Sequence, residues 1–229
     1  MILACVSLVY CAVVAYGQRD LKRLIAYSSA GHLAFVVLGA FALNDIGYAG
    51  AVATMIAHAL SVSGLFIIAG YLERNAGSRQ LDALGGFFTR APRTSGLAIV
   101  LVMATLGLPG LGNFVGEFLT LLGTFRVLPG AAMVGAVGAV LGAIYALLIL
   151  QRAFFGPVAA QATQAEEAPQ STLWALAVLS VLLVWLGLCP QRALDVTRPA
   201  DNPLLHAPAQ AAPAGNLARA QEEVARERS

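Results

Sequence analysis

Long apolar runs, separated by short polar or glycine-bearing turns, dominate residues 1–189. The hydrocarbon layer of a bilayer is about 30 Å thick, and about 20 apolar residues in a helix cross it. The pattern predicts six such segments. The first covers residues 1–17 and is short for a full crossing. The second covers about Leu24–Leu43 and the third about Gly47–Leu72, with a tight turn at Asn44-Asp45-Ile46-Gly47 between them. A polar, basic loop from Glu73 to Arg93 precedes the fourth. The fifth covers about Gly130–Leu150 and carries Gly135, Gly138 and Gly142, a small-residue stripe that lets a neighbouring helix come close. A polar loop, Gly156–Ser171, leads to the sixth, about Thr172–Leu188. From Pro190 the sequence is rich in Ala, Pro, Arg and Glu, the composition of a largely disordered tail. The expected fold class is an all-α polytopic membrane protein, with a transmembrane helical domain over 1–189 and a polar tail over 190–229.

The fourth segment departs from the pattern. Its apolar sequence runs from Arg93 to about Arg126. One straight helix of that length would measure roughly 50 Å at about 1.5 Å per residue, too long for the hydrocarbon layer. Within it stands Leu108-Pro109-Gly110-Leu111-Gly112-Asn113. Pro109 removes a backbone donor and strains the preceding turn, while Gly107, Gly110 and Gly112 make unwinding cheaper. Two half-helices joined near Leu108–Gly112 are expected, with Pro109, Gly110 and Gly112 as the hinge and Glu117 in the second half. Unwound backbone at membrane depth is tolerated inside protein or beside a watery cavity, and transporters build ion sites from such helices.

Composition supports this class. Of 229 residues, 59% are hydrophobic and 11% charged, too apolar for an ordinary soluble domain. A formal net charge of +2, spread over loops, gives no footprint for nucleic acid. Cys5, Cys11 and Cys189 lie in or at the ends of apolar segments, without metal-ligand spacing, and read as packing residues. No glycine-rich phosphate loop or paired-cysteine motif marks a nucleotide, redox-cofactor or metal site in this chain. The first segment lacks a basic start, and Arg19, Lys22 and Arg23 follow it, which argues against a secretory signal. The loops after segments one, three and five hold Arg19, Lys22, Arg23, Arg74, Arg79, Arg90, Arg93 and Arg152, against Arg126 alone in the short loops opposite. The positive-inside rule then sets the exits of the odd-numbered segments in the cytoplasm.

Ionisable residues at membrane depth are costly and are functional candidates by default. Three qualify: His32, His58 and Glu117. Helical spacing puts Ser28 with His32 on one face, Thr54, His58 and Ser61 on another, and Asn113, Glu117 and Thr120 on a third. Three polar stripes on three helices suggest one polar path. The chemistry suits protons, since histidine titrates near neutrality and passes a proton through its second ring nitrogen. Blander readings stand beside this one. Either histidine can serve as a helix–helix hydrogen-bonding group, Glu117 as a tie to half-helix amides, and the stripes as satisfied packing. Lys22, the only lysine, sits beside Asp20 and Arg23 at the membrane edge. It reads as an orientation anchor or as a residue coupling the loops.

Gln18–His32 (QRDLKRLIAYSSAGH), Met55–Leu60 (MIAHAL) and Leu106–Phe118 (LGLPGLGNFVGEF) resemble the M-type antiporter-like subunits of respiratory complex I, called NADH dehydrogenase chain 4 in mitochondria. Gln151–Gly156 also matches that family's exit from its thirteenth helix. The resemblance covers about residues 1–189, and NFVGEF is specific, because L-type subunits and multi-subunit antiporters usually carry a lysine near this glutamate. It implies a fold of fourteen helices with two inverted five-helix repeats, a subunit of NADH:ubiquinone oxidoreductase that couples quinone reduction elsewhere to proton pumping. It assigns His32, His58 and Glu117 to a central polar axis, with the glutamate on the broken twelfth helix as a gate toward the outer side. By the same resemblance the chain begins at the ninth helix and ends after the fourteenth, without the first repeat. Either the subunit is encoded in two pieces or the chain is a partial product. The implied partners are the other membrane-arm subunits, the N-terminal half among them, and the lipid bilayer. FMN, iron–sulfur clusters and quinone are implied elsewhere in the complex, and none in this chain. A bacterial-type inner membrane is the expected location, ahead of the mitochondrial inner membrane. The alternatives are a subunit of a related membrane-bound hydrogenase or cation/proton antiporter, or a non-conducting part of the membrane arm.

Overall fold

The structure is a computed structural model that describes residues 1–157 and 166–197. These residues are almost wholly helical and contain no strand. The helices are α1 (Ile2–Tyr16), α2 (Leu21–Ala40), α3 (Asp45–Ala76), α4 (Phe87–Arg90), α5 (Pro92–Thr105), α6 (Gly112–Val127), α7 (Pro129–Ile149), α8 (Gln170–Leu188) and α9 (Pro190–Thr197). Among the described residues, four helical stretches are long and apolar enough to cross a membrane: Leu21–Ala40, Asp45–Ala76, Pro129–Phe154 and Gln170–Leu188. That composition is that of a polytopic membrane protein. Helices α1 and α5 are apolar but shorter.

Local chemistry explains the boundaries. α2 begins earlier than the hydropathy pattern suggests because the Asp20 side chain caps it, accepting from the amides of Lys22 at 3.0 Å and Arg23 at 3.2 Å. Asn44 caps α3 in the same way, accepting from the Gly47 amide at 2.8 Å. The expected turn at Asn44–Gly47 is therefore the first turn of α3, and the chain reverses just before it, where Leu43 takes a φ of +50°. Helix α7 ends in a wider π turn, Leu150–Phe154, closed by the Phe155 amide on the Leu150 carbonyl at 3.1 Å. The basic loop after α3 is not simply polar. It folds back through a single 3-10 turn, Leu81–Ala83, and α4, burying Leu81, Leu84 and Phe87 in the core. Of the tail, Pro190–Thr197 form α9, and the remainder, 198–229, lies outside the described residues.

The loops after α1, α3 and α7 meet at one end. Arg19–Leu21 and Arg79–Leu81 pair like a fragment of antiparallel sheet, with Leu21 N to Arg79 O at 2.9 Å and Leu81 N to Arg19 O at 2.7 Å. Asp20 pairs with Arg79 at 2.6 Å, Asp82 with Arg152 at 3.6 Å, and Lys22 with Glu73. At the opposite end Asn44 donates to the Gly123 carbonyl of α6 at 2.9 Å.

The tightest seam runs between α3 and α6. A methyl on Gly116 would lie 2.5 Å from the Thr54 nitrogen, one on Gly50 2.8 Å from the Leu119 carbonyl carbon, and one on Gly123 2.5 Å from the Gly47 Cα. Backbone meets backbone there. The expected close stripe on α7 works differently: Gly138 receives the Leu8 side chain of α1, and Gly135 receives Leu121 of α6.

Candidate functional site

The break between α5 and α6 occupies Leu106–Leu111. Gly107 has φ +77° and Gly110 φ +96°, a region that L side chains enter at a cost of about 1–2 kcal/mol. Pro109, between them, cannot rejoin the helix ladder. Gly112 corrects the expected hinge: it is the first residue of α6, and its missing side chain makes room for Ala57 of α3 and Leu186 of α8. A methyl on it would lie 3.0 Å from the Leu186 Cβ and 3.2 Å from the Ala57 Cβ.

Glu117 follows in the second turn of α6 and is 7% exposed. Its two carboxylate oxygens have different neighbours. Oε1 lies 3.0 Å from His32 Nδ1 on α2. The approach falls outside hydrogen-bond geometry, so the pair is a close polar contact rather than an aligned bond. Oε2 faces the break, where a methyl on Gly107 would sit 2.9 Å from it.

His32 connects outward twice more. Its ring stands 4.9 Å from that of His58 on α3, tilted by 32°. Its Nε2 is 3.5 Å from the Tyr145 hydroxyl of α7. His58 Nε2 in turn meets the Ser29 hydroxyl at 2.8 Å. Which nitrogen carries the proton in each ring follows from the partner's role. Deeper along α6, Asn113 donates to Ser61 at 3.3 Å, and Ser61 donates to the His58 carbonyl at 3.1 Å. The three expected residues thus meet at one place, and three helices supply them. Lys22 is not among them; it lies in the first turn of α2, paired with Glu73 at the loop end.

Residues that the sequence pattern did not single out complete the cluster. Tyr145 is buried to 3% exposure and had no polar neighbour on its own helix to mark it. Ser29, rather than Ser28, reaches His58; Ser28 bonds back to the Ile25 carbonyl. Thr124 continues the α6 stripe one turn beyond Thr120, at the same spacing that identified Glu117, and both are fully buried. His32 Nδ1, His58 Nδ1, Asn113 Oδ1, Glu117 Oε1, Thr120 Oγ1 and Thr124 Oγ1 are buried without a hydrogen bond from protein. Buried polar atoms are ordinarily satisfied, by protein or by water. A small cavity lined by His32, Glu117, Tyr145, Thr105 and Leu106 has room for about one water molecule. Leu8 and Phe35 close it on the apolar side. Among the described residues, no group of three His, Cys, Asp or Glu side chains is placed to hold a metal ion.

An acid beside an imidazole in an apolar enclosure, with a second imidazole and a phenol in reach, can hold one proton in several places. It cannot easily hold two unpaired charges.

The chain also resembles known proteins over most of its length. Residues 1–142 match the family model described as NADH:quinone oxidoreductase/Mrp antiporter, TM. NADH-quinone oxidoreductase subunit M of Escherichia coli (strain K12) is 40% identical over 202 residues, 87% of this chain and 40% of that protein. A chain in respiratory complex I from Thermus thermophilus with bound NADH superimposes with a TM-score of 0.77 at 33% identity, over 85% of this chain and 42% of that one. A chain in the Mrp complex from Dietzia sp. DQ12-45-1b gives 0.79 at 18% identity, over 86% of this chain and 45% of that one, a likeness of fold alone. The chain spans about two-fifths of the length of the curated relatives it matches. Over the part it does span, it belongs to the NADH:quinone oxidoreductase/Mrp antiporter transmembrane family.

Proposed function

We propose that this chain is part of a proton-translocating, antiporter-like M subunit in the membrane arm of an NADH:quinone oxidoreductase, and that Glu117, His32 and His58 exchange the proton. The observation that carries the reading is the contact of Glu117 with His32 at 3.0 Å beside a broken helix, with the tilted His58 ring 4.9 Å from that of His32. In this reading Glu117 takes and gives the proton at its Oε1. His32 accepts it at Nδ1 and releases it at Nε2, toward Tyr145. His58 and Ser29 extend the relay on the α3 side. Proton movement needs only side-chain rotation and about one water between neighbouring groups. Thr120 and Thr124 continue the polar face of α6, and Asn44 before α3 meets it at Gly123, toward the opposite end, where the path would open to the outer side.

The chain would cross the membrane six times, with α5 and α6 as two halves of one crossing, corresponding to the ninth to fourteenth helices of the family fold. Its membrane would be the inner membrane of a bacterium, with the basic loop end in the cytoplasm. Electron transfer, and the FMN, iron–sulfur clusters and quinone it uses, would belong to other subunits. The partners would be the other membrane-arm subunits. Sequence identity of 40% with an NADH-quinone oxidoreductase subunit favours this assembly over a cation antiporter, for which the likeness extends to fold alone.

The test is Glu117→Gln in the assembled complex. It keeps size and most hydrogen bonding but removes titration. Proton pumping should fall to about a tenth or less, the scale on which a positioned acid–base group acts, while assembly persists. Glu117→Asp should retain part of the activity. A Gln variant with the parent proton-to-electron ratio would make Glu117 structural and the chain a non-conducting part of the arm.

A further inference from the structure

Helix α8 contributes nothing to the proton-bearing cluster, yet both of its ends are tied to the broken pair α5–α6. Just before α8, Glu167 accepts from the amides of Arg93 at 2.9 Å and Thr94 at 3.0 Å, and from the Thr94 hydroxyl at 2.6 Å. The Ala168 amide donates to that same hydroxyl at 3.1 Å. α5 has no side-chain cap of its own, because Ala91 precedes it. Free amides at a helix start need acceptors, and Glu167 supplies them from across the chain.

The far end of α8 meets the break itself. Gly187 lies against the peptide that joins Gly110 to Leu111. A methyl there would strike the Gly110 carbonyl and come within 2.5 Å of the Leu111 nitrogen. One residue on, Gly112 faces Leu186, and a methyl on it would lie 3.5 Å from the Leu183 carbonyl oxygen. α8 therefore grips the start of α5 and the end of the break, and Gly107 of that same break closes on Glu117. Where backbone lies on backbone no side chain can yield, so displacement at Gly187 passes to Leu106–Leu111.

We propose that α8 is a strap that sets the geometry of the break, with Glu167 and Gly187 as positioning residues acting on Glu117 through Leu106–Leu111. The effect on transport rests on the proton-exchange reading of Glu117; the effect on the break does not. The test uses the assembled complex with two variants at opposite ends of the strap, Gly187→Ala and Glu167→Ala. Alanine favours helix over glycine, so loss of α8 is not how Gly187→Ala acts. Gly70→Ala, in α3 with open space around it, is the control. Two readouts are taken: amide hydrogen exchange over residues 106–111, and the pH profile of coupled proton transport. Exchange should rise at least about fivefold, as expected when a held segment opens more easily, and the profile should shift in both variants. Gly70→Ala should match the parent, and Glu167→Asp should restore much of the Glu167→Ala loss. Unchanged exchange over 106–111 overturns the strap. Faster exchange with the parent pH profile overturns the positioning role. If Glu117→Gln itself pumps normally, the proton reading fails, and the exchange measurement still decides whether α8 holds the break.

Discussion

Gly107 and Glu117 face each other across the break, the glycine Cα closing on Oε2 so that a methyl there would lie 2.9 Å from the carboxylate. The residue that lets the chain unwind is also the wall of the acid's pocket. Gly110, with φ +96°, has open space where its Cβ would be. Alanine at either position meets about 1–2 kcal/mol of backbone strain. Only Gly107→Ala should also displace the carboxylate. Both variants should lower the complex's thermal stability by similar amounts. Gly107→Ala alone should reduce the proton-to-electron ratio, measured in membrane vesicles. Equal ratios in the two would separate Gly107 from the function of Glu117.

Tyr145→Phe removes the hydroxyl 3.5 Å from His32 Nε2 and keeps the ring. The net worth of one neutral hydrogen bond is about 0.5–1.5 kcal/mol. Coupled transport should therefore slow by roughly two- to tenfold, with normal assembly. Parent rates would confine Tyr145 to packing.

Glu167 stands outside the membrane-crossing segments. Partial burial raises its proton affinity, but the Thr94 hydroxyl and the amides and charge at Arg93–Thr94 outweigh that and hold its pKa below the usual carboxylate value. A depressed folded pKa means that the cap's contribution is complete above the unfolded value and lost as pH falls through the folded one. Amide exchange at the start of α5, followed from neutral pH to below 4, should show protection falling only in the acid range once intrinsic rates are allowed for. Glu167→Gln should abolish that acid dependence. A loss of protection that begins near neutrality would contradict the assignment.

The pairing of Arg19–Leu21 with Arg79–Leu81 requires these two loops to share one side of the membrane. A reporter fused after Arg79 should read cytoplasmic, and one after Asp45 external. The reverse pattern would overturn the orientation drawn from the arginines.

The polar stripes were readable in advance because helical spacing alone fixes which side chains share a face. The break was readable because Pro109 and its flanking glycines leave the backbone few options. Other features depend on partners that no single helix reveals. Tyr145 looks like one more bulky residue in the apolar α7 until α2 brings His32 to it. The seam of Gly47, Gly50, Gly116 and Gly123 has helical spacing, three apart on α3 and seven apart on α6, but two glycines on each helix do not reveal that the two pairs meet. Gly112 resembles the hinge glycines in sequence but serves close packing, a distinction made by the positions of α3 and α8. Leu81, Leu84 and Phe87 lie in a stretch whose charged neighbours mask three core residues.

The seam between α3 and α6 limits what this region can do as a machine. A one-turn slip of one helix past another moves it about 5.4 Å. Moved so, α6 would bring Thr120 to the place where Gly116 now leaves less than a methyl's width beside Thr54. Ratcheting along this seam is sterically forbidden. If Glu117 exchanges protons as proposed, coupling to it must arrive as a change in local field or as a turn of side chains and the six linking residues, with the two helices serving as a fixed chassis.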